Sequence, residues 1–223
     1  MITTKIYSKP IARLDLESIL QSDASLYPSS LTLRTLQNWY DTNSSNFINY
    51  YISNESHSEA TIGVSISFPM KATFWKRLIT GDLNEHEITG DMLLEQNCSL
   101  ADEENEYGIH IWHIKKFELW NKLCLTNFRD RFWSDLQYSV DMLNSKNKKC
   151  IGFSSLCATD EGTRAMKKLG FDLQGYYDFI VQNRQGQLKV IHSTDIHAQN
   201  IKNKDEWKMI FQCGIYTRCI HSV

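Results

Sequence analysis

His110 and His113 stand in the run Tyr107 to Phe117, where apolar residues alternate as in a β-strand. An imidazole is the side chain that ordinarily titrates near neutral pH, so a strand-borne histidine can take a proton from an attacking nucleophile. The same residue can equally be a packed or edge-exposed histidine without a chemical role. Strict alternation sends His110 and His113 to opposite faces of the strand, which makes the His-x-x-His pair a poor metal site. Glu106 and His113 are then the neighbours expected to bear on His110. The cysteines Cys98, Cys124, Cys150, Cys157, Cys213 and Cys219 show no Cys-x-x-Cys spacing. They read as reduced packing thiols, and no metal is expected. Cys124 and Cys157 are nucleophile candidates by residue type alone, without a His and Asp companion pattern. Trp39, Trp75, Trp112, Trp120, Trp133 and Trp207 are not interleaved with basic clusters, so they read as core and not as a base-stacking surface.

These residues need elements to hold them. Ile11 to Leu20 has helical apolar spacing, and Tyr27-Pro28-Ser29-Ser30 breaks it. Ser30 can cap a second helix carrying Leu31, Leu33, Leu36, Trp39 and Tyr40. Phe47 to Ile52 and Ile62 to Phe68 form a hairpin signature, with Pro69 expected to end the second strand. In that strand Gly63, Ser65 and Ser67 give one face of small residues. Ala72 to Ile79 reads as a short helix stopped by Gly81, and Leu83 to Leu94 as an acidic, irregular surface excursion. Phe128, Phe132, Leu136, Val140 and Leu143 form one stripe of a helix from Phe128 to Asn144. A short strand begins at Cys150. Thr159 then caps a helix that opens on acids, closes on Lys167 and Lys168, and stops at Gly170. Phe179 to Gln182 and Leu188 to His192 make a second hairpin, and Trp207 to Tyr216 adds a last strand. Interleaved helices and strands argue for an α/β fold with a mixed sheet covered by helices.

Composition bounds the partners. A chain of 223 residues, 42% hydrophobic and 22% charged, has ample material for a core, which excludes a disordered or collagen-like chain. Its formal net charge of −2 provides no global positive field for nucleic acid or anionic lipid. No apolar run reaches signal-peptide or membrane-span length, so a cytoplasmic protein without membrane contact is expected. One domain over residues 1–223 is expected, with an acidic and aromatic insertion at about 69–105.

The strand from Cys150 to Ser154 and the capped helix ending Lys167-Lys168-Leu169-Gly170-Phe171 resemble the closing strand, helix and Leu-Gly-Phe element of the GNAT superfamily of acyl-CoA-dependent N-acyltransferases. The order of elements resembles the family from about Ile11 to His192, and Thr159 to Phe171 is the motif-grade part. The resemblance implies a mostly antiparallel central sheet whose fourth and fifth strands splay apart, with the acyl-CoA pantetheine in the gap. It implies acetyl-CoA as donor and an amine acceptor, either a small amine or a protein or peptide amine. The pyrophosphate loop would fall at Cys124 to Arg129, with Leu125, Thr126, Asn127 and Phe128 offering backbone amides at a helix N-terminus. Leu125, Asn127 and Arg129 stand where the family has glycine, and Lys122 and Arg129 can supply charge. Thr159 matches an asparagine that contacts pantetheine in the family, beside its reading as a plain cap. Met166 stands where the family often has a tyrosine acid, and a thioether donates no proton. His110 is the candidate general base. The acidic insertion would face a cationic acceptor as a lid, or serve as a partner surface. The other reading is a degenerate GNAT-fold binding or interaction module without catalysis.

Overall fold

The computed structural model describes residues 5–24, 27, 31–53, 59–96, 105–122, 128–193 and 207–220. Strands β1 (Lys5–Pro10), β2 (Phe47–Ser53), β3 (Glu59–Lys71), β4 (Glu106–Lys116), β5 (Lys149–Cys157), β6 (Asp172–Asn183), β7 (Leu188–His192) and β8 (Trp207–Cys219) form one sheet. Their order is β1-β2-β3-β4-β5-β8-β6-β7, and β4 with β5 is the parallel pair in an otherwise antiparallel ladder. Helices α1 (Leu16–Ala24), α2 (Leu33–Thr42) and α3 (Ala72–Thr80) precede β4, where α4 (Glu118–Lys122) and α5 (Phe128–Asn144) follow it and α6 (Asp160–Lys168) follows β5.

Sheet faces follow from alternation. Val64, Ile66, Phe68 and Met70 of β3 join Leu16, Leu36, Trp39 and Trp75 in one buried cluster under the first three helices. Ile109 and Ile111 of β4 and Phe153 of β5 join Phe132, Leu136, Val140, Met166 and Phe171 on the other face. The α5 stripe is buried as its spacing predicts. Thr159 caps α6 by accepting from Gly162 N at 3.0 Å, and Phe171 N reaches back to Met166 O at 3.1 Å around Gly170, whose φ is +79°. Thr159→Ala is expected to lower stability by about 1 kcal/mol, read as a small fall in the thermal midpoint.

Several local expectations are corrected. Thr32 caps α2, its side chain accepting from Thr35 N at 3.1 Å, while Ser30 lies outside the described residues. β1, which no sequence feature announced, pairs with β2 at the sheet edge. Pro69 does not end β3. Pairing with β2 stops at Ile66, so Pro69, which has no N–H, sits where β3 has lost that neighbour and keeps only β4 beside it. The chain after α3 returns to this vacated edge through a Met70 to Leu93 bridge and a bond from Leu94 N to Pro69 O at 2.9 Å. Leu83 to Leu94 is therefore no solvated excursion: Leu83, Ile88, Leu93 and Leu94 are buried. The last strand, β8, does not extend the edge but enters between β5 and β6, leaving the β6-β7 hairpin outermost.

Candidate active site at the β4-β5 fork

Parallel pairing of β4 with β5 runs from Glu106 and Lys149 to Ile111 and Ser155 and goes no further. Ser155 Oγ donates to Ile111 O at 3.0 Å and closes the last rung. β4 continues for residues 112–116 with no strand on its β5 side among the described residues, while Leu156 and Cys157 pair with β8. The two strands thus splay, leaving an edge of backbone donors and acceptors.

One register pair before the fork, His110 faces Ser154. Its ring is fully buried, with Nδ1 2.9 Å from Ser154 Oγ and Nε2 2.7 Å from Glu85 Oε1. Trp75 Nε1 donates to the same Ser154 Oγ at 2.9 Å. An indole N–H only donates, so Ser154 accepts from Trp75 and has its own proton to give to His110 Nδ1. His110 then donates from Nε2 to the Glu85 carboxylate. Each proton is used once, and the chain points from Trp75 to Glu85. Glu106, the neighbour expected for His110, instead pairs with Lys149 at 3.2 Å.

A β-bulge on β4 revises the placement of the second histidine. Ile66 pairs with His113 and the next residue, Ser67, with Ile111, so Trp112 is the extra residue. Phe68 opposes His110 and Ile66 opposes His113, both on the α2 face. His110 and His113 therefore share a face, and no group of His, Cys, Asp and Glu able to hold a metal occurs among the described residues.

Glu85 comes from a one-turn 3-10 segment, Glu85–Glu87, fixed by a capping box in which Asn84 N donates to Glu87 Oε2 at 2.8 Å. Its side chain is 10% exposed. A second carboxylate lies near it. Asp178 of β6 accepts from Tyr27 OH at 2.6 Å and pairs with His192 Nδ1 of β7, whose ring stacks on His86 at 4.8 Å. Burial, then the charges of Asp178 and Glu85, push the Tyr27 phenol far above its ordinary range, so it stays a donor. Burial, followed by the charges of Asp178 and Glu85, likewise raises Cys213. Sequence reasoning missed Glu85, Tyr27, Asp178 and His192, because their partners are 14 to 151 residues away in the chain.

The remaining expected residues divide. Phe128 is buried against Tyr50 and Trp120 with ring centroids at 5.1 and 4.8 Å, so only its backbone at the start of α5 is available to a ligand. Arg129 pairs with Asp130 at 3.1 Å and is 47% exposed. Leu125, Thr126 and Asn127, with Cys98 and Cys124, lie outside the described residues, as does the side chain of Lys122. Thr159 is half-buried in its cap, and Met166 is buried in the core. Cys150 and Cys157 are raised, chiefly by burial, to about 11 and about 12, which keeps them as thiols and removes Cys157 as a nucleophile.

Solved proteins share this architecture over nearly their full lengths. NAA60 of Arabidopsis thaliana in complex with acetyl-CoA superposes with a TM-score of 0.52 at 12% identity, covering 97% of this chain and 99% of the other. Naa50 of the same plant, bound to the bisubstrate analogue CoA-Ac-MVNAL, gives 0.50 at 10% identity over 96% and 99%. The chain has the GNAT fold. No protein-family model matches it, and no curated protein matches it in sequence. The fork between β4 and β5 is the splay that the GNAT resemblance implied, and the Glu85, His110 and Ser154 chain sits at its base.

Proposed function

We propose that this chain is an N-acyltransferase that moves an acetyl group from acetyl-CoA to an amine, either a small amine or an amine of a protein or peptide. The observation that carries the reading is the Glu85, His110 and Ser154 chain one register pair from the strand fork. The fork suits the donor: the β4 edge over residues 112–116 can bond the amide-bearing pantetheine arm. Backbone N–H groups of Leu125 to Phe128 at the start of α5 would hold the pyrophosphate, with charge from Lys122 and Arg129. Thr159 Oγ1 accepts from Gly162 N and keeps its own proton to give to pantetheine.

His110 has no nitrogen left for an acceptor, since Nδ1 and Nε2 are both engaged. Glu85 is the group that takes the proton, and His110 is its positioning residue. The Glu85 carboxylate removes one proton from the acceptor ammonium. The freed nitrogen lone pair attacks the thioester carbonyl carbon and forms the C–N bond. The C–S bond then breaks and the electron pair leaves on the CoA sulfur. The nitrogen sheds its second proton as the C–S bond breaks; Met166 cannot donate to the sulfur, so that proton passes from the nitrogen to the departing thiolate, directly or through water. A carboxylate at this point also favours a cationic acceptor, in line with the acidic insertion that supplies it.

The buried Met166 favours a second reading, a GNAT-fold binding module that does no chemistry. A thermal melt with acetyl-CoA separates a donor-binding protein from one without the site. At a hundred times its dissociation constant the donor should add about 2.7 kcal/mol, or roughly 5–10 °C. No shift with millimolar acetyl-CoA or other acyl-CoAs would overturn the acyltransferase reading. A shift followed by free-CoA release with any of a panel of primary amines and short peptides would carry it, while a shift without release supports the module.

A further inference from the structure

Between α5 and strands β2 and β3 lies a cavity of about 420 Å³, the size of a small-molecule site. It exists because β3 turns Val64, Ile66 and Phe68 into the cluster under the first three helices and leaves Ser65 and Ser67 facing α5. There they are too small to fill the space beside Phe132 and Leu136. The α5 residues that line it run from Phe132 to Leu143, three turns or about 16 Å of helix, so a volume of this size is drawn out into a narrow slot. Tyr138 and Met142, both exposed, carry the apolar lining out to the mouth.

Most polar side chains of the lining are engaged with one another. Ser65 Oγ and Tyr50 OH are 3.1 Å apart, Ser45 Oγ donates to Asn43 Oδ1 at 2.6 Å, and Ser139 Oγ donates to Asn46 Oδ1. Asp135, the acid of the lining, is held by Arg131 at 3.2 Å. What the slot offers a ligand is therefore chiefly apolar contact with Phe132, Leu136 and Leu143. Lys146 is the exception. It follows the C-terminal end of α5, and its Nζ donates at 3.2 Å to a neutral acceptor, Gln96 O, with no carboxylate at salt-bridge distance among the described residues. A half-buried ammonium without a counter-charge thus stands at one end of an apolar slot. We infer that this slot binds a single-chain amphipathic carboxylate, its alkyl chain along Phe132, Leu136 and Leu143 and its head group on Lys146 Nζ. A neutral chain would leave the ammonium uncompensated, and a cationic one would be repelled by it. This site is independent of acyl transfer and would stand if that reading failed.

Calorimetric titration and ligand-observed NMR on the full chain, each with and without millimolar acetyl-CoA, would compare hexanoate, octanoate and decanoate with 1-octanol and octylammonium. Decanoate is expected to saturate the protein at or below about 1 mM, with each added methylene tightening binding by up to about fourfold. Octanoate should bind about tenfold or more tightly than octanol, and Lys146→Gln, which leaves the apolar lining intact, should remove that advantage. Ser67→Val, which fills part of the slot from the β3 side, should weaken octanoate while Lys146 stays in place. No saturation by any carboxylate, as expected of a cavity holding only water, overturns the inference. So does octanol or octylammonium binding as tightly as octanoate, or octanoate affinity unchanged in either variant. Displacement of octanoate by acetyl-CoA would place the carboxylate in the strand fork and overturn the inference as well.

Discussion

Glu85→Gln is expected to lower acceptor turnover by about 10²-fold or more while leaving acetyl-CoA affinity unchanged. Glutamine keeps the shape of glutamate, and its carbonyl oxygen still accepts from His110 Nε2, so the 2.7 Å contact and the fold survive. What is lost is a group able to hold the ammonium proton. His110→Gln tests the positioning role: the carboxylate remains but its orientation is loosened, so the loss in turnover should be smaller than for Glu85→Gln. The pH dependence of kcat/KM distinguishes the two. The acid limb caused by protonating the carboxylate should vanish in Glu85→Gln and persist, displaced, in His110→Gln. Parental turnover in Glu85→Gln, with the larger loss in His110→Gln, would return the base to the imidazole.

How much of this could be read from the residues depends on the range of the interaction concerned. The α5 stripe, the Thr159 cap and the Gly170 stop are local rules, with every partner within a few residues, and they appear in the structure as written in the sequence. Pro69 misled because a local rule was applied where pairing decides. Proline is tolerated once β2 has ended, and nothing near Pro69 says where β2 ends. The bulge at Trp112 is of the same kind, for one extra residue turns an alternation that puts His110 and His113 on opposite faces into one that puts them on the same face. Glu85 was the costliest omission. It sits in a segment that looks solvated because it is acidic, yet the buried Leu83 and Ile88 on either side carry it inward. Those apolar residues were the available signal. The proposed phosphate loop is harder still, since its backbone donors leave no side-chain pattern once the glycines are gone.

The second large effect concerns what holds the Glu85 chain in place. Trp75 of α3 is 2% exposed and lies over two glycines, one on each strand of the parallel pair. A methyl group added at Gly108 would stand 2.1 Å from Trp75 Cδ2, and one at Gly152 would stand 2.9 Å from Cη2. Neither strand can carry a side chain there while the indole stays. Gly108→Ala must therefore drive Trp75 away, which overpacks the site and pulls Nε1 from Ser154 at the root of the chain. We expect a loss of about 3 kcal/mol, or roughly 6–12 °C in thermal midpoint. Gly170→Ala is the control. Its φ is +79° but its added methyl meets nothing within 4 Å, so the left-handed backbone alone should cost about 1–2 kcal/mol. Trp75→Phe supplies the decisive comparison, because a smaller ring leaves room for the new methyl. Gly108→Ala should cost less in that background, with a coupling of about 0.5–3 kcal/mol. Equal costs in both backgrounds would show that Gly108 is required for some reason other than the indole. The same displacement should lower turnover in Gly108→Ala below the temperature at which it begins to unfold, since Ser154 would no longer be oriented to fill His110 Nδ1.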